Sequence, residues 1–115
     1  MNFVPMQIEN TKAQLRKGVL ELCILSILAK ERKYASEIIS HLKDAKLIIV
    51  EGTLYPLLTR LRSAGYLAYE WEESKNGPPR KYYSITAEGK DFLAELSGSW
   101  NELKDAVEQL TNPKN

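Results

Sequence analysis

Gly52-Thr-Leu-Tyr-Pro-Leu-Leu-Thr-Arg-Leu-Arg-Ser-Ala-Gly-Tyr-Leu67, completed by Pro78-Pro-Arg-Lys-Tyr-Tyr-Ser-Ile-Thr86, settles the architecture. It reads as a helix followed by a β-hairpin. Gly52-Thr53 caps the helix, and Leu54, Leu57, Leu58 and Leu61 form its core-facing stripe. Gly65 is placed to close it in the left-handed conformation. Pro56 is read as a first-turn residue, where a missing N–H costs nothing. Leu67-Ala-Tyr-Glu-Trp-Glu72 alternates with period two, and Lys81-Tyr-Tyr-Ser-Ile-Thr86 does so again. The hairpin is expected to turn on Asn76-Gly77-Pro78-Pro79.

Upstream, residues from Glu9 to Lys30 carry a helical pattern. Leu15, Val19, Leu22 and Ser26 make one stripe, and Leu20, Ile24, Ile27 and Leu28 make another. Two stripes imply a helix covered on more than one side. Ser36 reads as the N-cap of a short second helix through Ile38, Ile39 and Leu42. Asp44–Val50 ends in β-branched residues and suggests a short extended segment. Downstream, Thr86 caps a long helix from Ala87 to Leu110. The fold class is therefore mainly α with a small β-hairpin: a winged helix-turn-helix plus a C-terminal dimerisation helix. Residues 1–86 form the first unit and residues 87–115 the second.

A winged helix-turn-helix places its second helix in a DNA major groove and its hairpin along the backbone or in the minor groove. The leucines occupy one face of the 53–64 helix, so Thr53, Tyr55, Pro56, Thr59 and Arg60 point away from the core, with Arg62 flanking the groove. No acid occurs from Thr53 to Tyr69. Lys75, Arg80 and Lys81 cluster at the hairpin tip, where they can neutralise phosphates. Alone, those bases read as ordinary edge-strand protection; beside the preceding helix, they read as DNA contacts. Glu70, Glu72 and Glu73 oppose that reading if they share the same face.

Charge is divided along the chain. Residues 1–85 hold 13 of the 16 Lys and Arg and nine of the 15 Asp and Glu, whereas the last 30 residues are net acidic. A basic body suits a polyanion, and an acidic final helix must face elsewhere. In that helix Phe92, Leu96, Ser99, Leu103, Ala106 and Leu110 recur at spacings close to a coiled-coil seam, widened by Trp100 and Val107. Phe92, Leu96, Leu103, Val107 and Leu110 are the expected dimer contacts, with packing on the chain's own domain as the alternative. A homodimer suits a two-fold operator in double-stranded DNA. Trp100, beside Ser97-Gly98-Ser99, reads first as a core or interface residue and second as a platform for a flat ligand.

Other chemistries have little to build on. Cys23 is the only cysteine and His41 the only histidine, so neither a disulfide nor a histidine-based metal site or triad is expected. No cofactor is implied, and no phosphate-binding glycine loop is present. Met1–Met6 lacks the pattern of a signal peptide, and no stretch spans a bilayer, so the expectation is a cytoplasmic protein without a membrane partner. Two further readings stand beside DNA binding: a winged-helix protein-interaction module without DNA affinity, and a small-molecule carrier or enzyme built around a dimer pore.

The chain resembles the PadR family of bacterial transcriptional regulators along nearly its whole length. The resemblance rests on Leu15-Arg-Lys-Gly-Val-Leu-Glu-Leu22, Tyr34-Ala-Ser-Glu-Ile38, Glu51-Gly-Thr-Leu-Tyr-Pro-Leu-Leu-Thr-Arg-Leu61, Gly65-Tyr-Leu67, Gly77-Pro-Pro-Arg-Lys-Tyr-Tyr-Ser-Ile-Thr86 and Gly89. It implies a winged-helix dimer that represses a nearby promoter and dimerises through the C-terminal helix, supported by the N-terminal one. The single C-terminal helix is similar to the short branch of the family. There, in a multidrug-binding member, a tryptophan of this helix lines a dimer-interface pore and stacks on planar drugs; Trp100 matches it. An effector pocket of Trp100, Leu15, Leu22 and Leu103 follows from that resemblance. Two departures stand out: Lys104 lies where that regulator has an acid, and Ala35-Ser36 replaces a common Gly-Tyr.

Overall fold

Seven elements follow one another in the computed structural model, which describes residues 7–114; Met1–Met6, read above for signal-peptide features, lies outside them. The order is α1 (Ile8–Lys30), β1 (Lys33–Tyr34), α2 (Ala35–Asp44), α3 (Glu51–Ser63), β2 (Leu67–Ser74), β3 (Gly77–Ile85) and α4 (Ala87–Thr111). The strands form one antiparallel sheet in the order β1-β3-β2. The core is a cluster of aliphatic side chains where α1, α2 and α3 meet the sheet: Ile24, Leu25, Leu28, Ile38, Leu42, Leu54, Leu58, Leu61 and Leu67, closed by Tyr83. Leu25 is fully buried although it belongs to neither of the expected stripes of α1, because the helix is covered on adjoining faces by α2 and the sheet.

Four local expectations are corrected. Helix α2 begins at Ala35 rather than after Ser36, with Tyr34 as N-cap. The carboxylate of Glu37 accepts the Tyr34 backbone N–H at 2.9 Å, the task a serine cap was expected to share. Residues 45–50 form a turn and irregular chain, not a strand. The turn is made by Lys46 at φ 69°, a left-handed conformation that competes with extension. The missing strand is instead Lys33–Tyr34, paired as Lys33↔Tyr83 and Tyr34↔Tyr82. Two residues carry no readable period, and only the neighbouring β3 makes them a strand.

Helix α3 starts at Glu51, one residue before the expected Gly52-Thr53 cap, so Pro56 sits inside it in the second turn. The Gly52 carbonyl therefore lacks its usual i+4 N–H donor. At the other end the Gly65 N–H donates to the Arg62 carbonyl and the Tyr66 N–H to the Leu61 carbonyl, both at 2.9 Å. Gly65 has φ 87°, the left-handed closure anticipated from the sequence.

The hairpin turn is tighter than expected. Ser74 pairs with Gly77, so Lys75 and Asn76 make the turn and Pro78-Pro79 belongs to β3. An irregular register between Glu72 and Ser74 puts both prolines opposite Glu73 alone, where no ladder N–H is required of them.

Helix α4 is riveted to the body at its first turn. The Thr86 hydroxyl accepts the Gly89 N–H at 2.9 Å and donates to the Gly65 carbonyl at 2.6 Å. A Cβ on Gly89 would collide with the Tyr66 carbonyl oxygen, so only glycine lets the helix approach this closely. One turn on, Phe92 stacks on Tyr66 with centroids 4.2 Å apart and planes 6° from parallel. Beyond Leu96 and Ser97 the helix leaves the body, and every described residue from Gly98 onward is exposed. The radius of gyration is 17.2 Å, against about 13 Å for a compact chain of this length; the excess lies in two protruding arms, the first half of α1 and the second half of α4.

Candidate nucleic-acid interface

The exposed face of α3 presents Thr53, Tyr55, Pro56, Thr59, Arg60 and Arg62 to solvent, because Leu54, Leu58 and Leu61 take the opposite side. They are not equally free. The Arg60 guanidinium pairs at 2.9 Å with Glu21 of α1, whose side chain is mostly buried. Arg62 lies 4.7 Å over the ring of Tyr69. Thr53, Tyr55, Pro56 and Thr59 are therefore the part of the face without such a tie to α1 or the wing.

On the hairpin, strand alternation separates the charges. The register pairs Trp71 with Lys81 and Tyr69 with Tyr83 on one sheet face, and Glu70 with Tyr82 and Glu72 with Arg80 on the other. Glu70 and Glu72 thus do not share the face of Lys81, which answers the objection raised by their sequence position for that base, whereas Arg80 stands opposite Glu72. Arg32 stands 3.9 Å from Glu70. Arg80 stacks 3.9 Å over Tyr34, Tyr34 stacks on Tyr82 at 4.6 Å, and Arg32 lies 5.0 Å over Tyr82. Such contacts orient a guanidinium while leaving its N–H groups available. Lys75 is exposed in the turn itself.

Between the start of α2, the first turns of α3 and the hairpin lies a cleft of about 330 Å³, lined by Tyr34, Ser36, Tyr55, Trp71, Arg80 and Lys81 among others. It brings together one residue of the α3 face, Tyr55, and two of the three expected wing bases. Sequence reading missed Tyr34, Arg32 and Trp71. Tyr34 and Arg32 carry no periodic signal, whereas Trp71 was visible as part of the strand alternation.

Burial pushes the Tyr83 phenol above its ordinary range and keeps it un-ionised, so it serves as a wall rather than an acid. The Lys33 ammonium, 2.6 Å from Glu31, is held above the ordinary lysine range by that hydrogen bond, which also holds the Glu31 carboxyl below its own. Burial likewise raises the Cys23 thiol, which favours the unreactive form.

A second site lies between the arms. Leu15, Gly18, Val19 and Leu22 of α1 face Leu96, Trp100, Leu103 and Val107 of α4 across a mainly apolar pocket of about 640 Å³. All four expected effector residues line it. Arg16, Lys104 and Glu108 stand on its walls. Of the five expected dimer contacts, Phe92 and Leu96 pack against the chain's own body, whereas Leu103, Val107 and Leu110 remain exposed.

Known proteins place this geometry. A PadR-like transcription factor from Bacteroides fragilis is 58% identical, with a TM-score of 0.75 over 88% of this chain and 98% of that one. A PadR family regulator from Eggerthella lenta is 37% identical, with a TM-score of 0.83 over 93% of this chain and 94% of the other. A protein of Lysinibacillus sphaericus is 31% identical over 100 residues, 84% of this chain and 92% of that one. No helix among the described residues is long and apolar enough to cross a membrane. The Transcriptional regulator PadR-like family model matches residues 24–95, from the packed half of α1 to the third turn of α4, and the chain belongs to this family of DNA-binding transcriptional regulators, which are not enzymes.

Proposed function

We propose that the chain is a homodimeric repressor whose two winged helices read a two-fold operator and whose grip is relieved by a planar aromatic effector between the arms. The observation that carries this reading is the pair of facing stripes on α1 and α4. Leu15 is 72% exposed, Leu110 81% and Leu103 57%, on helices that otherwise fold into a well-packed body. Covering each such side chain is worth about 1.5–3 kcal/mol, and a second copy offers the matching surface. In this arrangement residues 1–86 carry the DNA contacts and residues 87–115 the dimer contacts, with Thr53, Tyr55, Thr59, Lys75, Arg80 and Lys81 toward the duplex. Trp100, 38% exposed beside Leu15, Leu22 and Leu103, supplies a flat surface for stacking. Arg16 and Lys104 outnumber Glu108 on the pocket wall, a balance that favours an aromatic ligand with an anionic substituent. The protein-interaction alternative has no support once the family is one of DNA-binding regulators.

The test is a linkage experiment on the duplex upstream of the protein's own gene. Planar aromatic carboxylates such as 2-naphthoate are titrated against protein alone and against the complex, in a Trp71→Phe background that leaves Trp100 as the only fluorophore of its kind. Quenching of Trp100 together with a raised Kd for DNA is the expected result, and Trp100→Ala removes the effect on Kd without weakening unliganded binding. Quenching with no change in DNA affinity would instead describe a carrier. Sedimentation at micromolar concentration reads the dimer independently.

A further inference from the structure

We propose that Trp71 contacts DNA directly, packing its indole on the deoxyribose next to the phosphate that Lys81 neutralises; the proposal rests on the family's DNA-binding function. Leu67, Tyr69 and Trp71 share one face of β2 by strand alternation. Burial declines along that face: Leu67 is buried, Tyr69 is half-buried and Trp71 is 64% exposed. The core ends beneath Tyr69, so the indole overhangs the cleft shared with Tyr55 of α3. Its edge meets Tyr69 at a centroid distance of 6.0 Å and an angle of 72°, which holds the ring while leaving surface uncovered.

The charges around the indole select the occupant. Lys81 pairs with Trp71 across the strands, with its ammonium 4.5 Å from the Tyr69 ring centre and 5.4 Å from that of Trp71. Arg80 lines the same cleft. Among the described residues Glu51 is the only acid on its walls, on the α3 side. In a nucleic acid backbone every phosphate is flanked by a sugar with an apolar C–H surface. A phosphate drawn to Lys81 therefore carries its deoxyribose to the indole, and the neighbouring cation and apolar ring on the wing match the neighbouring anion and sugar on the strand. Such a contact adds affinity without counterion release, unlike those of Arg80 and Lys81.

The experiment compares wild type, Trp71→Ala, Trp71→Phe and the double variant Arg80→Ala, Lys81→Ala on the duplex from the gene's upstream region, across a salt series. Trp71→Ala should weaken binding about tenfold at every salt concentration with the slope of log K against log[salt] unchanged, while Trp71→Phe keeps most of the affinity. The double variant should lower the slope by about two per wing, and so by nearly four for a dimer on its two-fold operator. A Trp100→Phe protein, in which Trp71 is the remaining tryptophan, should lose acrylamide quenching when saturated with duplex. Wild-type affinity in Trp71→Ala, or unchanged acrylamide access in the complex, overturns the proposal. Should Trp71→Ala misfold, the quenching measurement decides alone. Wild type that binds no duplex at low salt removes the DNA reading itself, and this contact with it.

Discussion

The two ends of α1 are built from similar residues and meet opposite fates. Leu20, Ile24, Leu25 and Leu28 are buried, while Ile8 and Leu15 stand in solvent. Helix α4 repeats the contrast in reverse: Gly89 is buried and Phe92, Leu93 and Leu96 pack on the body, whereas Leu103, Val107 and Leu110 touch none of the core. The molecule is thus a self-sufficient head with two arms that lie together but remain uncovered. Helical amphipathicity says that a face needs a partner; only its position relative to the core says whether that partner lies within the chain.

The sharpest way to break this contrast is to weaken each region by the same chemistry. Leu58→Ala, in the head, should cost about 3 kcal/mol in urea unfolding, because a fully buried leucine leaves a cavity. Leu110→Ala, in the exposed arm, should change unfolding of dilute protein by less than about 0.5 kcal/mol. Equal losses would mean that the arms are part of the head's cooperative unit. Leu103→Lys with Val107→Lys addresses the arms as an interface. It should leave a folded monomer by sedimentation and reduce operator affinity about a hundredfold, since paired half-sites gain from being linked. A dimer that survives would place the interface elsewhere.

A smaller loss than that of Leu58→Ala belongs to the joint between the regions. Thr86→Ala removes both the cap to Gly89 and the bond to the Gly65 carbonyl, at a cost of about 1 kcal/mol in thermal or urea unfolding. Thr86→Ser keeps the oxygen and should recover most of it. A silent Thr86→Ala would mean that Gly89 and the Tyr66–Phe92 stack hold α4 without help.

Much of the head was legible because its signals are local and repeated. The leucine stripe of α3, the glycine at 65, the alternation of the two long strands and the threonine cap of α4 each act through neighbours in sequence, and each is where it was expected. The errors fall where a local signal competed with a distant partner. Ser36 is a good cap by composition, yet β1 pairing with β3 sets where the chain turns, and Tyr34 takes the cap position. Pro78 and Pro79 are good turn residues, yet they sit in β3 because an irregular register relieves them of donating. On the α3 face, exposed Arg60 also pairs with Glu21, a contact without a local signal because it exists only where α1 packs beside α3.

Period, caps and charge, all short-range properties, were enough to determine the winged helix and the division between a basic body and an acidic final helix, and the motif segments from Leu15 to Gly89 carried the resemblance to the family. Three things required the packed chain: that Phe92 faces inward while Leu103 faces out, that Glu70 and Glu72 are screened from the face of Lys81, and that Trp71 projects past the end of the core. Each depends on where the core stops or on which strands lie side by side, and residues far apart in sequence have no local pattern by which to announce that they will meet.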